Sequence, residues 1–399
     1  MIKILTFTSL FPNQQQPNFG VFVENRLRHL KASGEVEAKV LAPVPWFPIA
    51  SDRFGKYGKL AQVPEQEIRH GLEINHPRFP VIPKIGMIIS PYLLYRAMRP
   101  IVRRIIESGY DFDLLDAHYF YPDGVAAALL ARDFNKPFII TARGADLNQF
   151  PGFPIPKKWI RWAADQADGI ITVSNALTEP LKDLCADMEK VTFLRNGVDL
   201  TGFQPMNQEQ ARQKYSVSGK IGVSVGGLIE RKGHHITIDA VKEIPDLTFL
   251  IAGEGPERAN LEAQIARNGL KDRVRLLGAV PHKELSELFS AADFSVLSSS
   301  SEGWANVLLE SMASGTPVVA TRIGGTDEVV TAPEAGLLVD QRAPGAIADG
   351  IRTLLDNMPE RTATRAYAEK FSWDDTTQGQ LRLFRKILAQ EPGRLRPTG

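Results

Sequence analysis

Short apolar runs recur along the chain, each followed by a longer stretch with apolar residues at helical spacing. The short runs predict strands over Ile2–Phe7, Ala38–Ala42, Leu114–Ala117, Phe138–Thr141, Ile170–Val173 and Thr192–Leu194. The rhythm repeats over Ile221–Val225, Thr248–Ala252, Val274–Leu277, Phe294–Leu297, Val318–Thr321 and Gly336–Val339. Strands this apolar, separated by helix-length segments, predict parallel sheets covered on both faces. Between the halves, "RNGVDLTGFQPMNQEQ" predicts a linker near Asp199–Gln208. The chain therefore reads as α/β, with two doubly wound Rossmann-like domains, residues 1–200 and 201–375, facing across a cleft. "DDTTQGQLRLFRKIL" predicts a last amphipathic helix, placed within 376–390, and the polar tail after Gln390 is expected to fray. Ligands of such sheets sit outside the carboxyl ends of the strands.

The totals narrow the function class. The 399 residues are 43% hydrophobic and 23% charged with a net charge of +1, which does not suggest a nucleic-acid binder. A lone cysteine, Cys185, argues against a disulfide framework or thiolate metal site and fits a reducing compartment. "MIKILTFTSLF" ends at Pro12-Asn13 without a small-residue cleavage site, so it reads as a strand and not a signal peptide. No apolar run approaches the ~20 residues of a membrane span. The expected location is cytoplasmic, or peripheral on the inner face of the cell membrane.

The stretch "SVLSSSSEGWANVLLESMASG" carries the most chemistry. It predicts a strand ending near Leu297, a serine-rich loop, and a helix from near Ala305 to Ser314 closed by Gly315. Asn306 and Glu310 then share a helical face, and Glu302 precedes the first turn. The amides of Gly303, Trp304, Ala305 and Asn306 are expected to point out of the helix start, where they can bind an anion such as a diphosphate. A carboxylate accepts from adjacent hydroxyls, so two glutamates flanking an anion site suit a nucleotide sugar. Alternatively, Glu302 is a helix-start acid favoured by the dipole and Glu310 is solvated.

The E-x7-E spacing of Glu302 and Glu310 resembles the motif of retaining glycosyltransferases of GT-B fold, most closely glycosyltransferase family 4. "VSVGGLIERKGHHITIDAV", "IAGEGPERANLE", "VRLLGAVPHKELSELFSAADFSVLSSS", "VSNALTEPL" and "LRNGVDLTGFQP" resemble further family segments in the family's order. The resemblance implies that Glu302 contacts the donor sugar, Glu310 holds the ribose, and residues 303–306 serve sugar and diphosphate. It also implies that Lys232 neutralises the leaving diphosphate, backbone near Val280 flanks the base, and the last helix packs back on the first domain. Many family members carry Arg where this chain has Gly227. Arg231 is a candidate substitute, although an exposed surface charge is the slightly favoured reading of it.

In the first half, "SLFPNQQQPNFGVFVENRLRHL" places a loop and Gly20 before a helix, where backbone can approach a phosphate or simply turn. His118 lies just past a strand; a lone His is usually structural, but the resemblance implies a His here that approaches the donor sugar. Arg143 and Asp146 follow another strand and are expected on the acceptor side, or as a mutual salt bridge. Pro77 to Ile106 contains Arg78, Lys84, Arg96, Arg99, Arg103 and Arg104, no acid, and many apolar residues. That suits an anionic membrane surface and a lipid-linked acceptor, or equally a buried helix with solvated arginines.

The expected activity is therefore hexosyl transfer from a UDP- or GDP-sugar to a hydroxyl of a glycan or lipid-linked acceptor, in envelope or exported polysaccharide assembly. No cofactor and no metal are expected, because no Asp-x-Asp-type motif is suitably placed. The competing readings are a sugar-nucleotide epimerase of GT-B shape and a scaffold that binds nucleotide sugar without turnover. A nicotinamide dehydrogenase is disfavoured, since no G-x-G-x-x-G follows the first strand.

Overall fold

The computed structural model describes residues 1–51, 53, 55–82 and 86–390. The chain forms two compact units, Met1–Arg195 with the segment from Asp374 onward, and Asn196–Trp373.

The first unit is built on β1 (Ile2–Phe7), β2 (Val36–Leu41), β3 (Val44–Pro45), β4 (Gln66–Arg69), β5 (Leu72–Asn75), β6 (Arg78–Phe79), β7 (Leu114–His118), β8 (Phe138–Ala142), β9 (Gly169–Thr172) and β10 (Val191–Phe193). Eight of these form one sheet in the order β10-β9-β8-β7-β1-β2-β5-β4, and β3 pairs with β6. The large sheet is parallel except at its edge, where β4 runs antiparallel to β5. That hairpin departs from the all-parallel expectation. Its alternating sequence "QEIR" exposes Ile68, as edge strands with one covered face do. The central strands are apolar throughout because both faces are covered: Leu114, Leu115 and Ala117 are buried on successive positions.

The second unit holds β11 (Lys220–Val225), β12 (Leu247–Ala252), β13 (Val274–Gly278), β14 (Phe294–Leu297), β15 (Val318–Thr321) and β16 (Gly336–Val339). Their order is β13-β12-β11-β14-β15-β16, all parallel. Phe249, Ile251, Phe294 and Val319 centre its core, closed over by Ile238, Val241, Ile347 and Ile351 from helices.

The boundary falls earlier than the expected 200/201. Asp199–Gln208 is bound within the second unit: Arg365 donates to the carbonyls of Leu200 and Phe203, and Gln204 exchanges two hydrogen bonds with Ser286. Its polar composition reflects these fixed turns, not a loose connection. The helix Asp374–Leu388 belongs to the first unit, where Leu381, Phe384 and Ile387 share a core with Leu27 and Leu30.

Of the expected basic stretch, Arg78 lies in β6, Arg96, Arg99, Arg103 and Arg104 lie in the helix Gly86–Glu107, and Lys84 lies outside the described residues. Leu94, Met98 and Val102 are buried, while Ile88, Tyr92, Arg96, Arg99 and Arg103 share an exposed face at i+4 and i+3 spacing. Among the described residues, no helix is long and apolar enough to cross a membrane.

Candidate functional site

Both large sheets reverse strand order once, and the loops at each reversal carry the polar residues. In the second unit the reversal lies between β11 and β14. A crevice forms at such a point because the two flanking loops leave in opposite directions. Lys232 comes from the loop after β11 and Glu302 from the loop after β14, and Lys232 Nζ stands 2.6 Å from Glu302 Oε1.

The two loops are stitched together by backbone. Ser300 N donates to Arg231 O at 2.8 Å, and Ser298 Oγ donates to Gly233 O at 2.7 Å. Gly233 sits at φ 71°, and a Cβ there would lie 2.0 Å from Ser298 O, so glycine is required for this approach. Arg342 reaches the carbonyls of Ser298 and Glu230.

Arg231 differs from the surface-charge expectation. It donates to Ser301 O at 2.6 Å, and its Nη1 lies 3.6 Å from the same Glu302 oxygen that Lys232 holds. Ser299 Oγ donates to that oxygen at 2.7 Å. Burial pushes the Glu302 pKa up, but Lys232, Arg231 and Ser299 together outweigh it and hold the carboxyl below its ordinary range. The result is an ionised acid with two cations on one side.

The helix after Glu302 runs Asn306–Ala313. Asn306 N already donates to Trp304 O at 3.0 Å, which removes it from the expected set of outward amides. The amides of Gly303, Trp304 and Ala305 have no protein acceptor among the described residues. The Trp304 ring is buried, 6.3 Å from Phe371, so only its backbone faces this turn. Asn306 Oδ1 accepts from Asn196 Nδ2 at 3.2 Å. Glu310 is not simply solvated: its side chain is 15% exposed and meets His282 Nε2 at 3.1 Å. Val280 is half-buried in the turn leading to His282. Gly227 has room: a Cβ there would meet nothing nearer than Glu254 O at 3.8 Å.

The remaining candidates belong to the first unit, whose order reverses between β1 and β7. Gly20 stands at φ 74° before the helix Val21–Ala32, and its backbone is so close to Leu10 that a Cβ would lie 2.4 Å from Leu10 O. His118 is buried, with Nδ1 2.6 Å from Arg143 Nη2 and Nε2 3.3 Å from Asp116 Oδ2. A guanidinium only donates, so Nδ1 accepts and the ring proton sits on Nε2, facing Asp116. Burial pulls its pKa down to about 4 against the opposing pull of Asp116. Arg143 therefore holds Nδ1, Nε2 stands near Asp116 without a hydrogen bond to it, and burial favours the neutral imidazole.

Asp146 holds backbone in the same region. It is fully buried and accepts from the amides of Phe120, Arg143 and Gly144 at 2.7–3.1 Å. It pins the loops after β7 and β8 through backbone. Arg143 is half-buried, with its guanidinium against His118 and over the Phe22 ring.

Sequence reasoning missed Asp116, Asp123, Ser299 and His282. Asp116 had a signal: it lies two residues before His118 on one strand, hence on the same face. Asp123 accepts from Thr8 and from the amide and hydroxyl of Ser9, linking the loops after β1 and β7. The contact spans more than a hundred residues, which local pattern does not reveal. Among the described residues, no group of three His, Cys, Asp or Glu is arranged to hold a metal.

The family described as "Glycosyl transferases group 1" matches residues 206–371, and the one described as "Glycosyltransferase Family 4" matches residues 21–201. A D-inositol 3-phosphate glycosyltransferase of Corynebacterium urealyticum is 31% identical, over 70% of this chain and 73% of its own. A Bacillus subtilis glycosyltransferase, named provisionally for teichuronic acid biosynthesis, is 28% identical over 88% of each chain. Among solved structures, Anabaena Alr3699/HepE in complex with UDP superposes with a TM-score of 0.74 at 21% identity, covering 97% of this chain and 100% of its own.

Proposed function

Because the chain belongs to glycosyltransferase family 4 and has the GT-B fold, its activity is glycosyl transfer, and we propose that it is a retaining, metal-independent enzyme acting from a nucleoside diphosphate sugar. The observation that carries this reading is the convergence of Lys232 and Arg231 on Glu302, beside the amides of Gly303, Trp304 and Ala305. Without ligand, Lys232 neutralises Glu302. A bound diphosphate offers Lys232 a second anion, and the lysine then stabilises the charge that grows as the sugar–phosphate bond breaks. Glu302, held ionised, accepts from the hydroxyls of the donor sugar. Glu310 takes the ribose. In this proposal His118 lies beside the donor sugar as a neutral ring, since Arg143 holds its Nδ1 and burial pulls its pKa down to about 4. The acceptor hydroxyl attacks from the leaving-group side, with the departing phosphate taking its proton, and configuration is retained.

The proposed acceptor is a lipid-linked or growing envelope glycan, reached at an anionic membrane surface from the cytoplasmic side. The exposed face Ile88-Tyr92-Arg96-Arg99-Arg103 supports it, with an apolar end followed by a basic one. Trp46, Ile49, Tyr57, Ile82 and Met87 add exposed apolar area within the first unit. UDP- and GDP-sugars are incubated with EDTA and a lipid extract, and released nucleoside diphosphate is measured. Release that rises with extract and vanishes in Glu302→Ala is expected. Release that requires an added divalent ion overturns metal independence. Failure to co-sediment with anionic vesicles at low salt overturns the membrane reading.

A further inference from the structure

We propose that His282 is the positioning residue for Glu310, fixing the carboxylate so that it meets the ribose of the nucleoside diphosphate ready oriented. This rests on the reading that Glu310 holds the ribose. His282 Nε2 stands 3.1 Å from Glu310 Oε1. An ionised carboxylate only accepts, so Nε2 carries the proton and donates. Glu310 Oε2 has no protein donor among the described residues, which leaves it for the ribose hydroxyls.

The imidazole is itself held. Phe203 meets it edge-on, with centroids 5.0 Å apart and planes at 80°. Phe203 is buried, and its backbone is fixed on both sides by Arg365 and by the paired bonds between Gln204 and Ser286. The chain of contacts runs from a buried aromatic through a ring to a carboxylate on the helix Asn306–Ala313. A glutamate has three rotatable side-chain bonds. Fixing them during folding removes that ordering cost from binding. His282 therefore contributes to affinity for the nucleoside part of the donor without touching the reacting sugar.

The test uses the full-length protein and calorimetric titration with UDP and GDP, followed by the 2′-deoxy form of the tighter binder. Wild-type protein is expected to prefer the ribose form. His282→Ala is expected to weaken the ribose form about tenfold and the deoxy form far less, so the preference shrinks. His282→Gln, which keeps a donor, is expected to restore most of it. Glu310→Gln should give a similar loss, and adding His282→Ala to it should change little. Equal weakening of ribose and deoxy forms by His282→Ala overturns the inference in favour of a general structural role. Unchanged binding in His282→Ala, with loss in Glu310→Gln, overturns the inference alone. Wild-type binding in Glu310→Gln, or no binding of either nucleotide by wild type, overturns the ribose reading beneath it.

Discussion

The two sheet reversals share a topology and carry opposite chemistry. In the second unit the loops after β11 and β14 hold ions at the crevice mouth: Lys232, Arg231 and Glu302 have side chains 16, 33 and 10% exposed. In the first unit the loops after β1 and β7 are joined through Asp123, which is fully buried and has Ser9 N at 2.6 Å. Burial pushes its pKa up to about 7 despite the Ser9 and Thr8 hydrogen bonds that oppose it. Arg26, Asp116, His118 and Asp146 are further buried ionisable groups of this unit. One crevice keeps charges within reach of solvent. The other uses its polar groups to hold loops rigid. A strand reversal supplies a place for a ligand, and the side chains decide what occupies it.

The largest effect expected is on the ionic crevice. Glu302→Gln should lower transfer by about 100-fold or more while nucleoside diphosphate affinity changes little, as read by turnover and calorimetry. Wild-type turnover in this variant would remove Glu302 from the reaction. Lys232→Met should also lower turnover by about 100-fold. It leaves Glu302 with Arg231 and Ser299 only, so denaturant unfolding should show a loss on the order of 3 kcal/mol. Arg231→Met, farther from the carboxylate, should cost less by both measures.

Proton linkage separates the two regions next. His118 and His234 are buried, and burial pulls each down to about 4; Lys232 adds to the effect at His234. The unfolded chain then binds more protons between about 4 and 6.5, so both histidines make stability fall as pH drops through that window. Asp123 has the opposite sign. Its folded pKa is raised, so its contribution is intact below the ordinary 3.8 and lost as pH rises through about 7. It offsets His118 within the first unit. Asp123→Asn removes the offset, giving a steeper fall in melting temperature from pH 6.5 to 5 and a gain over wild type at pH 8. The added slope is about 1 kcal/mol per pH unit. Unchanged pH dependence would mean that Asp123 is ionised throughout.

The smallest change sharpens the comparison from the ligand side. Gly227→Arg adds a cation where the backbone leaves room, and donor affinity should rise a few-fold with folding unchanged. No gain would indicate that Lys232 and Arg231 already suffice.

The strands were legible because burial on both faces demands continuous apolar runs; Phe294–Leu297, Val318–Thr321 and Gly336–Val339 stand where their composition places them. The edge hairpin β4–β5 was not, since short alternating segments resemble polar loops. Glu302, Glu310 and Lys232 were singled out from spacing and family likeness; at Gly20 the close approach is to Leu10, ten residues earlier, which the loop sequence did not show.

What the sequence by itself determined is the α/β alternation, the family motif and the residue types at the strand ends. Only the tertiary structure decided which of those residues meet. Arg231 turned from a surface charge into a partner of Glu302 because the loops after β11 and β14 are adjacent in space, with Arg231 bonding Ser301, 70 residues away in the chain. His118 became a buried ring held by its neighbours because Arg143 from the loop after β8 bonds its Nδ1 and Asp116 of β7 lies beside its Nε2. Side-chain identity is local information. Protonation, partner and exposure follow from neighbours that distant segments supply, and the fold chooses those neighbours.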